Sequence, residues 1–290
     1  MSRFISATLL QQSMKTKLQQ PSHKTAAIIK KHAMVEATIS TKETMVHATK
    51  TVTLLCLHGW GGSKESFTEL RNALKDSPIT ILTPDLPGFG AEPEPSRPWT
   101  NDDYADWVLD WFKANSPIPA PQSLFLLGHS HGGRIAIKLT AGNRLPVDHL
   151  FLCASAGIRR PRHIKRIIGL TLAKSGKGFL SIPGMRSLQP LGKKLLYKLV
   201  RVHDYEKASP IMRDTLINVT EEDLRPLLSC IEVPTDLFWG TEDRMTPIAD
   251  GRLITRKIVG SVLHEYPGVR HGVHRDKAAE IASVMTGINL

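Results

Sequence analysis

FLLGHSHGGRIAIKL, residues 125–139, holds one serine, Ser130, between two histidines and three glycines. An apolar run leads in and an amphipathic run leads out, so a buried strand turns straight into a helix at the serine. Gly128 and Gly132 stand two places either side of it. Such a turn strains the serine backbone and leaves no room for side chains at those two places. The hydroxyl of Ser130 is therefore expected at the tip of a sharp elbow. The helix that follows offers N–H groups that favour negative charge. This is the setting of an exposed nucleophile.

Outward from the elbow, the chain alternates strands and helices. TVTLLCLHG (51–59), ITILTPDLPGFG (79–90), HLFLCASAG (149–157), PTDLFWG (234–240) and VLHEYPG (262–268) are short apolar runs ending in turn residues, the pattern of strands buried on both faces. TNDDYADWVLDWFKAN (100–115) reads as a helix with one apolar stripe of Tyr104, Trp107, Val108, Trp111 and Phe112. Thr100 and Asp103 resemble a capping box at its start. Further helices are expected over 133–142 and near 247–257 and 275–286. This rhythm predicts an α/β fold with a mostly parallel, doubly wound sheet. Residues 35–49 alternate as one or two edge strands would. Residues 158–226 hold no strand-like run and read as short basic helices, such as IKRIIGLTLAK (164–174) and LGKKLLYKLVRV (191–202). A helical insert between two sheet strands is a cap over the strand ends. The expected organisation is a basic arm over 1–33, a core over 34–157 and 227–290, and a cap over 158–226.

Five landmarks in order, LLCLHGWGG (54–62), DLPGFG (85–90), GHSHGG (128–133), WGTEDRMTP (239–247) and GVRHGVHRDKAAEI (268–281), resemble the α/β-hydrolase fold superfamily, and its serine-nucleophile, esterase-like members in particular. The resemblance runs from about Val52 to the end of the chain. It implies the chain order nucleophile, acid, base. Ser130 is then the nucleophile, Asp243 the acid after the strand ending FWG, and His271 the base after the last strand. It implies that the cap lies before the acid-bearing strand. Glu242 is the neighbouring candidate for the acid and His274 for the base. His271 and Asp276 also form an H-x4-D pattern seen in some acyltransferase-like relatives. Side chains adjacent to an elbow serine diverge from it, so neither His129 nor His131 is expected to be the base.

An acyl-transfer reaction also needs preorganised N–H donors for its oxyanion. The resemblance assigns these to the backbones of His131 and Trp60, with His58 and Gly59 shaping the loop that aims Trp60. Asp85 is expected to be a turn residue. A serine nucleophile argues against the epoxide hydrolases and dehalogenases of this fold, which use aspartate. Hydrolysis of a carboxylic ester or thioester through an acyl-enzyme is the expectation. C–C bond hydrolysis, acyl transfer on the same triad, and a non-enzymatic binding protein are the alternatives. No metal or organic cofactor is implied.

Charge is unevenly spread over the 290 residues, whose net charge is +11. Residues 158–213 carry 14 Lys+Arg against 2 Asp+Glu, residues 1–33 carry 6 Lys+Arg and no acid, and the remainder is net negative. A basic cap over a substrate entrance suits a small acyl substrate with an anionic group, an anionic surface, or an acidic carrier protein. No nucleic-acid module accompanies it, so nucleic acid is not expected. No apolar run reaches the length of a transmembrane helix. Residues 1–33 lack the core of a secretory peptide. Their basic, hydroxyl-rich, acid-free composition fits a disordered arm, an early start codon, or an organelle transit peptide. Cys56, Cys153 and Cys230 are scattered and odd in number, which argues against a disulfide framework and fits a reducing compartment. All three are expected to be buried. The cytoplasm, or an organelle matrix, is the expected location.

Overall fold

The computed structural model describes residues 51–116, 122–159 and 208–288. Among them, β1 (Val52–Leu57), β2 (Ile79–Leu82), β3 (Ser123–His129), β4 (His149–Cys153), β5 (Thr235–Gly240) and β6 (Val262–Tyr266) form one parallel sheet in the order β2-β1-β3-β4-β5-β6. The four inner strands are buried along their whole length, whereas β2 and β6 at the described edges are only partly covered. That matches the unbroken apolar runs in the inner strands.

The helices are α1 (Thr68–Ala73), α2 (Asn101–Asn115), α3 (His131–Ala141), α4 (Pro210–Glu221), α5 (Ile248–Lys257), α6 (Val273–Asp276) and α7 (Ala278–Thr286). Two groups of them flank the sheet. α2 packs on α3, and a 3-10 turn at Arg225–Cys230 links α3 to α5; α1 packs with α6 and α7. The α2 start is as its sequence implies. Thr100 Oγ1 accepts from the Asp103 backbone N–H, and Asp103 Oδ2 accepts from the Thr100 N–H at 2.7 Å. Tyr104, Val108 and Phe112 of the stripe are buried, while Trp107 and Trp111 stack at its margin.

The strand order places the site. The first described strand, β1, lies inside the sheet; from it the path steps outward to β2, then crosses back beside β1 to β3 and proceeds the other way. Neighbouring strands that part in this manner leave a crevice at their carboxyl ends. Leu57 at the end of β1 is in register with Gly128, so the HGWGG loop and the Ser130 elbow leave the sheet side by side.

The expected edge strands over 35–49, the arm over 1–33, and both basic segments, 164–174 and 191–202, lie outside the described residues. Within the expected cap, α4 is described, and it is fastened to the core. Asn101 Nδ2 donates to Val219 O at 3.0 Å and to Glu222 Oε2 at 2.7 Å, and Arg134 Nη1 donates to Glu222 O at 2.9 Å. Of the cysteines, Cys56 and Cys153 are buried, but Cys230 is exposed. Its apolar neighbours suggested otherwise; it closes the short 3-10 turn before β5, where Leu228 is the buried residue.

Candidate active site

Ser130 caps α3 with φ 51° and ψ −111°, a conformation that costs a non-glycine residue of order 1–3 kcal/mol. The surroundings hold it there. Its N–H donates to Cys153 O at 3.2 Å, and its carbonyl accepts from the N–H groups of Gly133 (3.1 Å) and Ala156 (2.9 Å). The glycines are needed for close approach. A Cβ on Gly132 would strike the Leu57 carbonyl, and one on Gly128 would lie 2.6 Å from Gly132 O.

Three residues from the ends of three strands meet at the elbow. Ser130 Oγ lies 3.0 Å from His271 Nε2, and His271 Nδ1 lies 2.7 Å from Asp243 Oδ2. With the serine hydroxyl donating to Nε2, the ring proton sits on Nδ1 and is donated to the carboxylate. The Asp243 side chain is fully buried. Its other oxygen, Oδ1, accepts from the Met245 N–H at 2.7 Å and the Thr246 N–H at 3.1 Å. Burial alone would raise its pKa. The His271 bond and charge, with the Thr246 and Met245 bonds, outweigh burial and hold it below the usual carboxylate range. Glu242 is exposed, and its backbone turns to Val269. His274 is buried against Phe67 and His129. The structure therefore brings Ser130, Asp243 and His271 together and leaves Glu242 and His274 out.

The flanking histidines do diverge. His129 turns to the loop that carries His271, where its Nε2 donates to the His271 carbonyl at 3.1 Å. His131 turns the other way, edge-on to Trp60 and Tyr104 with ring centroids 5.5 and 4.8 Å away. Both its ring nitrogens are buried with no hydrogen-bond partner among the described residues. Burial, with Arg134 and His58 nearby, pushes its pKa down to about 3, so the ring is neutral at neutral pH.

The loop after β1 is set by His58. Its Nε2 accepts from the Leu86 N–H at 2.9 Å, which leaves Nδ1 to donate to Gly59 O at 2.8 Å. Gly59 passes so near the elbow that a Cβ on it would lie 3.1 Å from Ser130 Cβ. This brings the Trp60 backbone close to the serine, while the His131 N–H opens α3, where no carbonyl one turn back can receive it. Asp85 has a turn role: its Oδ1 accepts from the Lys64 N–H at 2.6 Å and its Oδ2 from the Ala91 N–H at 3.0 Å. Two contributors were missed from sequence, His129 and Thr246. His129 had no local signal, since it meets the His271 carbonyl across a separation of 142 residues. Thr246 did have one: it stands three residues after Asp243, a spacing at which backbone N–H and hydroxyl can both turn back to the carboxylate.

Among the described residues, no cluster of three or more His, Cys, Asp or Glu could hold a metal ion, and no helix is long and apolar enough to cross a membrane.

The model of the alpha/beta hydrolase family matches residues 54–284. The chain is 28% identical over 260 residues to the AB hydrolase superfamily protein YisY of Bacillus subtilis, covering 80% of this chain and 89% of that one. It is 28% identical over 233 residues to a pimeloyl-[acyl-carrier protein] methyl ester esterase of Chromobacterium violaceum, covering 75% and 86%. In fold it is similar to a lipase-esterase related protein of Clostridium acetobutylicum, with TM-score 0.60, 20% identity, and 83% and 96% of the two chains covered. A parallel sheet with its switch point at the elbow and a family match across most of the chain lead to one conclusion: this chain belongs to the alpha/beta hydrolase family.

Proposed function

We propose that the protein is a serine hydrolase that cleaves a carboxylic ester or thioester through an acyl-enzyme. Family membership and the esterase-named relative support ester hydrolysis in general. The observation that carries the serine mechanism is the continuous relay from Ser130 Oγ through His271 to Asp243, at 3.0 and 2.7 Å.

Serine is a weak nucleophile until a base takes its proton. His271 Nε2 receives that proton as Oγ adds to the substrate carbonyl. Asp243 keeps the other ring proton on Nδ1 and stabilises the imidazolium that forms. The carbonyl oxygen gains negative charge, which the N–H groups of Trp60 and His131 receive. Preorganised donors of this kind each contribute about 100- to 1,000-fold to rate. The tetrahedral centre collapses, His271 passes its proton to the departing alkoxide or thiolate, and the acyl group stays on Oγ. Water then attacks the acyl-enzyme with His271 again as base, releasing the carboxylic acid and restoring Ser130.

Aromatic rings back the loop of the proposed oxyanion donors: Trp60 packs on Phe89 at 4.9 Å and on His131 at 5.5 Å. The excess of Lys and Arg over residues 158–213 supports a substrate, surface or carrier with negative charge. The relative from Chromobacterium violaceum is named for an acyl-carrier-protein ester. Such attraction should weaken as salt rises.

The test is hydrolysis of p-nitrophenyl esters from two to sixteen carbons by wild type and Ser130→Ala. Turnover that the variant loses is expected, with a chain-length optimum that sizes the acyl pocket. Equal turnover by clean variant protein would overturn the serine mechanism. Labelling by a fluorophosphonate probe, expected in wild type and absent in the variant, separates narrow specificity from an inert serine.

A further inference from the structure

We infer that Thr246 is a positioning residue for the acid–base pair: its hydroxyl donates to the Asp243 oxygen that holds His271 and limits how strongly that oxygen draws the ring proton. Its consequence for rate rests on the serine-hydrolase reading; the contact itself does not.

Thr246 Oγ1 has three neighbours and one proton. It lies 2.8 Å from Asp243 Oδ2, 3.0 Å from Ala154 O and 3.3 Å from His271 Nδ1. The His271 Nδ1 proton is already directed to Oδ2. The Thr246 proton can then go to the carboxylate or to the Ala154 carbonyl. Two oxygens 2.8 Å apart, one of them charged, repel unless a proton lies between them. A hydrogen bond to a charged acceptor is also the stronger of the two. The proton therefore belongs to Oδ2.

The hydroxyl has little freedom to turn elsewhere. Thr246 is buried, its N–H donates to Asp243 Oδ1, and its carbonyl accepts from the Trp239 indole N–H at 2.7 Å. Trp239 is itself fully buried in β5. One threonine thus grips both carboxylate oxygens and is anchored to the core of the sheet. An oxygen shared between two donors gives less of its charge to either one. Other ionisable groups pack around the pair. The His129 ring lies 4.9 Å from that of His271, and the His274 ring lies 3.8 Å from that of His129, tilted against it. Burial first, with the nearby His271 and Arg275, keeps both rings neutral. Neither competes with Asp243 for the His271 proton.

The test uses Thr246→Val, which removes the hydroxyl at nearly the same shape, and Thr246→Ser, which retains it. Two readouts are taken: the pH dependence of kcat/KM on a p-nitrophenyl ester, and the titration of the His271 ring protons followed by NMR without substrate. With the hydroxyl gone, the carboxylate holds imidazolium more firmly. The acid limb and the NMR midpoint should both move to higher pH in Thr246→Val by about one unit, a tenfold fall in rate at fixed pH on that limb. Thr246→Ser should return both toward wild type. Unmoved or downward-shifted midpoints would overturn the inference, as would a loss of rate equal at every pH, which is the signature of packing alone. If Ser130→Ala retains turnover, the serine mechanism fails, and the NMR titration still decides the role of Thr246.

Discussion

His129 Nε2 donates to the backbone carbonyl of His271 at 3.1 Å, so the histidine beside the proposed nucleophile holds the loop of the proposed base. The two rings lie 4.9 Å apart, and the His129 ring also meets that of His274, tilted by 34° with centroids 3.8 Å apart. The strand that leads to Ser130 and the loop that carries His271 are thereby joined by one side chain.

Replacing His129 with phenylalanine keeps a ring and removes this donor. One lost hydrogen bond is worth about 1 kcal/mol, roughly a fivefold change. We expect kcat to fall by about that factor with KM little changed, measured by steady-state kinetics. A change in KM alone would place His129 in substrate binding instead.

Asp243→Asn should leave the fold intact by circular dichroism and lower kcat by about four orders of magnitude. Asparagine fails to hold the Nδ1–H tautomer of His271, and losses of that size follow from the wrong tautomer in other triads. Activity within tenfold of wild type would remove Asp243 from its role and direct attention to Glu242.

Acid should weaken the fold through two buried rings. Burial first, and then nearby positive charge, lowers His131 and His274 from 6.5 to about 3. Between those values the unfolded chain binds protons that the folded chain refuses, so stability falls as pH falls. Each ring contributes up to about 1.4 kcal/mol per pH unit across that window. His131→Leu removes one such group and its two unpaired nitrogens. Urea unfolding at pH 7 and pH 5 should show a smaller acid loss in the variant than in wild type. His131→Ala, which keeps the backbone N–H, should retain far more turnover than His271→Ala; equal losses would make the His131 ring itself catalytic.

Gly132→Ala tests the elbow. The added methyl meets the Leu57 carbonyl and lies close to the His58 carbonyl, backbone atoms that cannot swing aside. Overpacking of this kind costs about 1–3 kcal/mol or more. A lower denaturation midpoint is expected together with a large loss of turnover, since β1 and α3 must part. Wild-type stability and rate would show that the elbow has slack.

The elements that were legible beforehand are those whose cause is local. The apolar runs of β1, β3, β4 and β5 imply burial on both faces, and each proved buried throughout. Thr100 and Asp103 satisfy one another within a single turn, so the start of α2 could be read from four residues. The positive φ of Ser130 follows from glycines two residues away.

Other features depend on which strands become neighbours, and no short window carries that information. Cys230 looks like its buried counterparts in composition, yet its place at the end of a 3-10 turn exposes it. Asp236 sits in an apolar strand, where a lone carboxylate would be costly. Only the pairing of β4, β5 and β6 brings it within 2.8 Å of His149 and 2.6 Å of His264. Ser130, Asp243 and His271 could be named in order along the chain, and Thr246 reaches Asp243 from three residues away, but the contact of His129 with the His271 carbonyl spans 142 residues and no short window shows it. Local sterics and hydrophobic burial act between neighbours in sequence and can be read there. Hydrogen bonds that aim a base or share a carboxylate act between neighbours in space, and they exist only once the sheet has closed.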